Sequence, residues 1–437
     1  MSQSSPLSTA PIRIAPQTPE IGEPLKVALI GAGNRSRRIY LPALNSVRQW
    51  VEVTAVCDPI KAHADALAGS LGVAPFYDIR DLVRARPMEA AIVVVPVPAH
   101  HSISVYLSSE GIHNLTETGW CSMIRQGREM IEMARRTGVV VRVAENFFRF
   151  PIDRMAQAVK ASGAIGRIGR ILCYADHTGY HNNSRWIRFA GAHPVWAQGI
   201  GHGMTTGKFR SSPQRFHERE TFRGRYFMFP DDCLVIDMSA NGKGFLGRHR
   251  RPGYTEWQGE RGTFVHQSRQ PEADSASELR ICSEEGIDGQ TGQGVIHPIA
   301  DHVVPVEHDF DGGVWRGAKL QSQRVSIEYV NPYRLVEATG HRLPAYGVAI
   351  MDHIIDFAAA VRGAADSEFD EEDALMSLIM EVAANYSARH EGCRVRLPLT
   401  RGIEEESDEI SRASLKSQWG VDPLDVDGML AINYPKP

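Results

Sequence analysis

Residues 25–58 read LKVALIGAGNRSRRIYLPALNSVRQWVEVTAVCD. Within them KVALI, residues 26–30, is a short apolar run of the kind a strand buried on both faces requires. Gly31, Ala32 and Gly33 follow at once, then Asn34-Arg35-Ser36 and a helical stretch through Leu44. The first glycine permits a tight turn, and the second lets a pyrophosphate approach the backbone at a helix N-terminus. Ser36 stands where a third glycine is usual and is also small. Asn34 lies in the same loop, and Arg35, Arg37 and Arg38 divide between pyrophosphate contact and solvation. A second strand, Val51 to Val56, leads to Asp58, 25 residues after Gly33. An acid there accepts hydrogen bonds from a ribose and repels a 2′-phosphate, which favours NAD over NADP. The glycine turn alone would suit many α/β domains. Between strand and helix, with the acid downstream, it predicts a dinucleotide site.

The alternation of helix and strand continues to Val143. Helices are expected at Asp65–Leu71, Ile79–Ala85, Ser102–Ser109 and Met123–Arg136, and strands at Ala91–Val95, Asn114–Glu117 and Val139–Val143. Ligands sit outside the carboxyl ends of such strands, so the turn holding Pro96 and His100 should face the cofactor. Beyond Asn146 the texture changes. One more helix, 151–161, precedes strands at Arg170–Tyr174, Leu234–Ser239, Gly262–His266 and Arg324–Tyr329, and two long helices follow at Ala349–Arg362 and Asp370–His390. The expected architecture is α/β. A flexible tail (1–23) precedes a Rossmann dinucleotide-binding domain (24–146). An α+β domain follows (147–400) with an open, mostly antiparallel sheet for substrate binding and oligomerisation, and then a C-terminal extension (401–437) that would lie on the surface or clasp a subunit.

Composition sets the outer limits. The 437 residues suffice for two domains with real cores, and 43% hydrophobic with 23% charged residues is ordinary globular usage. A net charge of −4 offers no general attraction to nucleic acid or membranes. The six cysteines, at 57, 121, 173, 233, 282 and 393, form no C-x-x-C pair, so a reducing, cytoplasmic setting is expected, without disulfides or a thiolate metal site. No apolar run has transmembrane length, and residues 1–23 lack the basic start and apolar core of an export signal.

KVALIGAGNRSR, AVCDP, PVPAHHS, GIHNLTETG, GAIGRIGRI and DEEDALMSLIMEVAANYSA together resemble the glucose–fructose oxidoreductase / inositol dehydrogenase (Gfo/Idh/MocA) superfamily over most of residues 25–400. Its dehydrogenases carry Glu-Lys-Pro where this chain has Glu117-Thr118-Gly119. The resemblance gives the lysine the task of helping to take the substrate hydroxyl proton, which Thr118 cannot do as a base near neutral pH. Glu117 is kept at the cofactor. Ordinary members also carry an aspartate and, four residues later, a histidine. Gln198 and His202 take those positions here.

One branch of the superfamily lacks the lysine: the NAD-dependent glycosidases. Ala144-Glu145-Asn146 is similar to that branch's Glu-Asn segment, which places Asn146 at the cofactor. Tyr180-His181 is similar to its Tyr-x-His-Asp motif, one residue out of step. Trp186 and Arg188 resemble its Trp-Arg pair. The resemblance implies transient oxidation of a sugar at C3, loss of the C2 proton, departure of the C1 substituent, hydration, and re-reduction with NAD recycled. Catalytic candidates are then Tyr180, His181, Gln198 and His202, within a segment, 177–202, rich in His, Tyr, Trp and Arg.

Simpler roles compete. His181 suits a surface loop as well as a catalytic one. His177 and His181 have metal-pair spacing, but the glycine between them breaks a helix and no third ligand is evident, so no metal is expected. His297, His302 and His308 have the spacing of solvated loops. Trp186 and Trp196 would wall a sugar, and Arg185 beside Arg188 would suit a carboxylate or sulfonate on the substrate. The expectation is a redox-assisted glycosidase acting on a small carbohydrate; an ordinary sugar or cyclitol dehydrogenase and a non-catalytic NAD-binding protein are the alternatives. The resemblance also implies pairing into dimers or tetramers through the open sheet.

Overall fold

The computed structural model describes residues 10–175, 179–212, 215–240, 254–267, 277–282, 300–311, 314–333 and 344–434. Six parallel strands form the first sheet, in the order Ala74–Phe76, Val51–Cys57, Leu25–Ile30, Ala90–Val93, His113–Thr116 and Val141–Val143. The chain runs outward from the central strand Leu25–Ile30 in one direction, then returns to its other side. That reversal opens the crevice in which doubly wound folds hold ligands. Alternate residues of the central strands supply two cores. Ala28, Ile30, Ala91 and Val93 pack against Ile103 and Leu107 of helix His100–Ser109. Leu29, Ile92 and Leu115 face the opposite way, into a core continuous with the second domain.

The second domain is built on nine strands: Ala300–Pro305, Ser277–Cys282, Gly262–His266, Tyr254–Gly259, Ile168–Ala175, Cys233–Ala240, Arg215–Phe229, Trp196–Ser212 and Val395–Arg396. Every neighbouring pair is antiparallel except Ile168–Ala175 with Cys233–Ala240, so the sheet is open and mostly antiparallel as expected. Helix Glu371–Arg389 lies on one face, so close that a Cβ on Gly199 would fall 2.0 Å from the Ala384 carbonyl oxygen. Helix Pro344–Arg362 returns to the parallel sheet, and its Val348, Ile350 and Ile354 join the core shared by both domains.

The N-terminal boundary differs from expectation. Ile12–Ile14, inside the expected tail, forms a parallel edge strand beside Ser326–Val330 in a separate four-stranded sheet, and the Trp50 indole N–H donates to the Pro19 carbonyl at 2.9 Å. The C-terminal extension folds onto its own nucleotide domain. Helix Arg401–Trp419 presents Asp408 to the first turn of helix Ile124–Thr137, where the carboxylate accepts from Ile124 N at 2.8 Å and Arg125 N at 2.9 Å. Arg128 adds a bidentate pair to Glu404. No described helix is long and apolar enough to cross a membrane.

Candidate active site

The glycine loop is held by short polar contacts. Gly31 has φ +92°, and a Cβ there would meet the Val94 carbonyl oxygen at 2.1 Å, so only glycine fits between the loop and the next strand. The Ser36 hydroxyl donates back to the Gly31 carbonyl at 2.5 Å, which explains how serine replaces the third glycine without leaving a buried hydroxyl unpaired. Asp58 accepts from Ala32 N at 2.7 Å and from Ile60 N at 2.8 Å, one backbone donor on each carboxylate oxygen. Nothing lies within 4 Å of where a Gly33 side chain would start, and Asn34 beside it is exposed. The loop therefore offers open backbone for a pyrophosphate, with an ordered carboxylate beyond it for a ribose. These residues fit NAD.

Arg35 turns inward. Its Nε donates to Glu117 at 2.5 Å and its Nη1 to the Tyr346 hydroxyl at 2.9 Å. Burial pushes Glu117 toward the neutral acid, but the charge and hydrogen bond of Arg35 outweigh it and hold the carboxyl below its usual range. The second Glu117 oxygen accepts from Thr118 N at 2.9 Å and from the Thr118 hydroxyl at 3.2 Å. The Tyr180 hydroxyl in turn lies 3.5 Å from the Thr118 oxygen, and its ring covers Gly119. Tyrosine, threonine and glutamate thus form a file at the position where relatives are expected to carry lysine.

A second group adjoins the first. His181 opens helix His181–Ala190, with Nδ1 3.3 Å from Glu145 and its ring stacked on Phe147 at 4.4 Å. Ser184 also donates to Glu145, at 3.3 Å. Tyr180, Glu145 and Gly119 line a cavity of about 230 Å³. Trp120, Phe369 and Leu378 form its apolar wall, with Ser377 and Glu381 from helix Glu371–Arg389. The Trp120 indole N–H has no partner among the described residues. The structure therefore brings Tyr180, His181, Glu117, Asn146 and Thr118 to the carboxyl ends of the parallel strands.

Other candidates lie elsewhere. His202, Gln198 and Trp196 occupy alternate positions of strand Trp196–Ser212, on the face away from helix Glu371–Arg389; Gly199, between two of them, is the residue pressed against that helix. His202 is exposed, Gln198 donates to the Gly392 carbonyl at 2.6 Å, and Trp196 carries Arg394 over its ring. Arg185 is fully buried, with Nε 2.6 Å from Asp153 and Nη2 2.9 Å from the Thr255 hydroxyl; it fills the core and meets no substrate. Trp186 is likewise enclosed, donating to Asp237 at 2.9 Å, and Arg188 lies over the Phe148 ring. His100 is buried as a strut between the Gly119 and Val95 carbonyls, at 2.8 and 2.9 Å, while Pro96 stays exposed in the preceding turn. His177 and His297 lie outside the described residues. Among the described residues no group of three His, Cys, Asp or Glu could hold a metal. Sequence reasoning missed Trp120, which directly follows Glu117-Thr118-Gly119, and Glu381, which lies in the late DEEDALMSLIMEV helix taken as a mark of family.

Fold and loop together define an NAD-binding Rossmann protein with a second, sheet-based domain. Residues 25–145 match the model of an oxidoreductase family with an NAD-binding Rossmann fold. The nucleotide-binding domain, residues 25–145, is that of the Gfo/Idh/MocA oxidoreductases. The chain is 30% identical over 176 residues to D-glucoside 3-dehydrogenase of Escherichia coli, covering 40% of this chain and 46% of that protein. It is 30% identical over 149 residues to inositol 2-dehydrogenase of Streptomyces avermitilis, covering 34% and 43%. The chain thus matches less than half the length of these curated relatives. Among solved structures, a levoglucosan dehydrogenase in complex with NADH and levoglucosan superposes with TM-score 0.60 at 15% identity, covering 86% of this chain and 99% of that one. An oxidoreductase from Agrobacterium radiobacter in complex with NAD+, L-tartaric acid and magnesium gives 0.62 at 13%, covering 85% and 98%. These likenesses extend the shared fold across both domains.

Proposed function

We propose that the protein is an NAD-dependent sugar-active enzyme that oxidises a ring hydroxyl and uses the transient ketone to expel the C1 substituent of a glycoside. The observation that carries this reading is the file Tyr180–Thr118–Glu117 standing beside the Glu145–His181 pair at the mouth of the nucleotide crevice. Gly31, Gly33 and Asp58 would hold NAD, which when bound supplies a hydride acceptor.

Tyr180 is placed to receive the proton of a substrate hydroxyl as its own moves toward Thr118 and Glu117. Arg35 keeps Glu117 ionised and fixed in position. Threonine serves this file without being a base, because it only has to accept one hydrogen bond and donate another. Glu145 and His181 form a second acid–base pair, suited to the proton next to the new carbonyl. A ketone at C3 acidifies the C2 hydrogen; its removal drives out the C1 group with the bonding electrons, water then adds its hydroxyl at C1 and a proton at C2, and return of the hydride to C3 restores the alcohol. The name of the E. coli relative places that protein's oxidation at carbon 3 of a D-glucoside, which supports the same position here.

The relatives' names favour a second reading, an ordinary sugar dehydrogenase. A panel of p-nitrophenyl glycosides and free sugars, followed for aryl release and NADH together, separates the two. Aryl release that needs NAD without net NADH, with deuterium at C2 of the product in D₂O, is the expected result. Stoichiometric NADH from a free sugar would make it a dehydrogenase. Tight NAD binding with neither product would leave a non-catalytic protein.

A further inference from the structure

The walls of the cavity restrict the charge of whatever enters it. Its described lining holds two carboxylates, Glu145 and Glu381, and no lysine or arginine. The nearest guanidinium groups are already engaged. Arg225 donates to Glu381 at 2.8 Å, to Asp237 at 2.6 Å, to the Gly179 carbonyl at 2.5 Å and to Asn183 at 3.1 Å. Arg223 donates to the other Glu381 oxygen at 2.9 Å, and Arg35 is held by Glu117 and Tyr346. Asn385 also donates to the Glu381 oxygen held by Arg223, at 3.1 Å, so only the oxygen held by Arg225 retains a lone pair for a further donor. Trp120, Phe369 and Leu378 add an apolar surface suited to the C–H face of a sugar ring. The volume, about 230 Å³, is below the range of drug-sized ligands and suits a single ring.

We infer that the site takes a single unphosphorylated sugar unit, neutral or bearing an amino group, and rejects uronic acids and sugar phosphates, with Glu381 as the specificity-determining residue. This rests on the sugar-active reading of the same cavity. An acidic substituent would enter a partly desolvated pocket that offers two carboxylates, one of them already paired with Arg223 and Arg225, and no free cation among the described lining. An ammonium or hydroxyl would instead donate to the Glu381 oxygen that holds only Arg225. The sign of the preference is thus the reverse of what Arg185 and Arg188 implied, because those side chains do not line the cavity.

Calorimetry on the NAD-loaded native protein tests this with methyl β-D-glucoside, methyl β-D-glucosaminide and methyl β-D-glucuronide. The glucosaminide should bind at least as tightly as the glucoside, and the glucuronide more weakly by on the order of 10- to 100-fold. Glu381→Gln should narrow the gap between glucoside and glucuronide; the ranking in the native protein decides the matter even if that variant folds poorly. Equal or tighter binding of the glucuronide, or binding of none of the three, overturns the inference. The expected ranking without turnover of any of them would instead count against the sugar-active reading and leave the charge preference standing.

Discussion

Tyr180 and Thr118 show what a single residue contributes once the fold has placed it. Neither is a strong base, yet the phenol, the hydroxyl and the Glu117 carboxylate stand in file. Tyr180→Phe should lower turnover by about 10²–10⁴-fold while calorimetric NAD affinity stays unchanged, and His202→Ala should leave both at wild-type values. Wild-type turnover in Tyr180→Phe with a loss in His202→Ala would return the chemistry to the strand. Asp58 carries a separate expectation. Because it orders Ala32 and Ile60 beside the glycine loop, Asp58→Ala should weaken NAD binding by about 1–3 kcal/mol, measured by titration. The glycine loop was legible in the sequence because its contacts are local or reach only the next strand. Arg185 was not, because its partners Asp153 and Thr255 lie 32 and 70 residues away and nothing near it signals burial.

Whole elements were legible where their periodicity was strong, as in helix Ile79–Ala85, found at its expected limits, and helix Glu371–Arg389, found within a residue. The segment 196–229 was not. Its glycines and scattered polar residues masked two long paired strands, and matching His202 by spacing alone ignored that a strand sends successive side chains to opposite faces. Buried histidines at the junctions between elements lead to a pH dependence. Burial, and then the charges of Arg149 and Arg35, hold His353 well below the ordinary imidazole value; burial also lowers His100, against the pull of its two carbonyl partners. With folded values depressed, the unfolded chain takes up protons first. The stability these groups contribute is therefore complete above about pH 6.5 and is lost as pH falls below it. The unfolding midpoint should drop between pH 7 and pH 5, and His353→Gln should flatten that slope by roughly 1.4 kcal/mol per pH unit. An identical slope in the variant would show that His353 takes up its proton without cost.

At the scale of the whole molecule, the described helices cover one face of the nine-stranded sheet. Val235 and Asp237 are enclosed beneath helices, whereas Leu234, Ile236 and Met238 alternate with them on the other face and stay partly open. Their register neighbours Leu172 and Tyr226 share that surface, and Ile200 farther along it is 49% exposed. An apolar face of this kind suits association with another surface. The C-terminal extension does not cover it, since that segment is spent on capping the nucleotide domain. A second copy of the chain, stacking the same face against itself about a two-fold axis, would cover both copies at once. Light scattering at micromolar concentration should then give a multiple of 48.4 kDa, and Ile236→Glu should shift the population toward monomer while NAD binding persists, because the glycine loop lies in the other domain. A native protein that scatters only as monomer would mean that this face is tolerated in water or covered by a different partner.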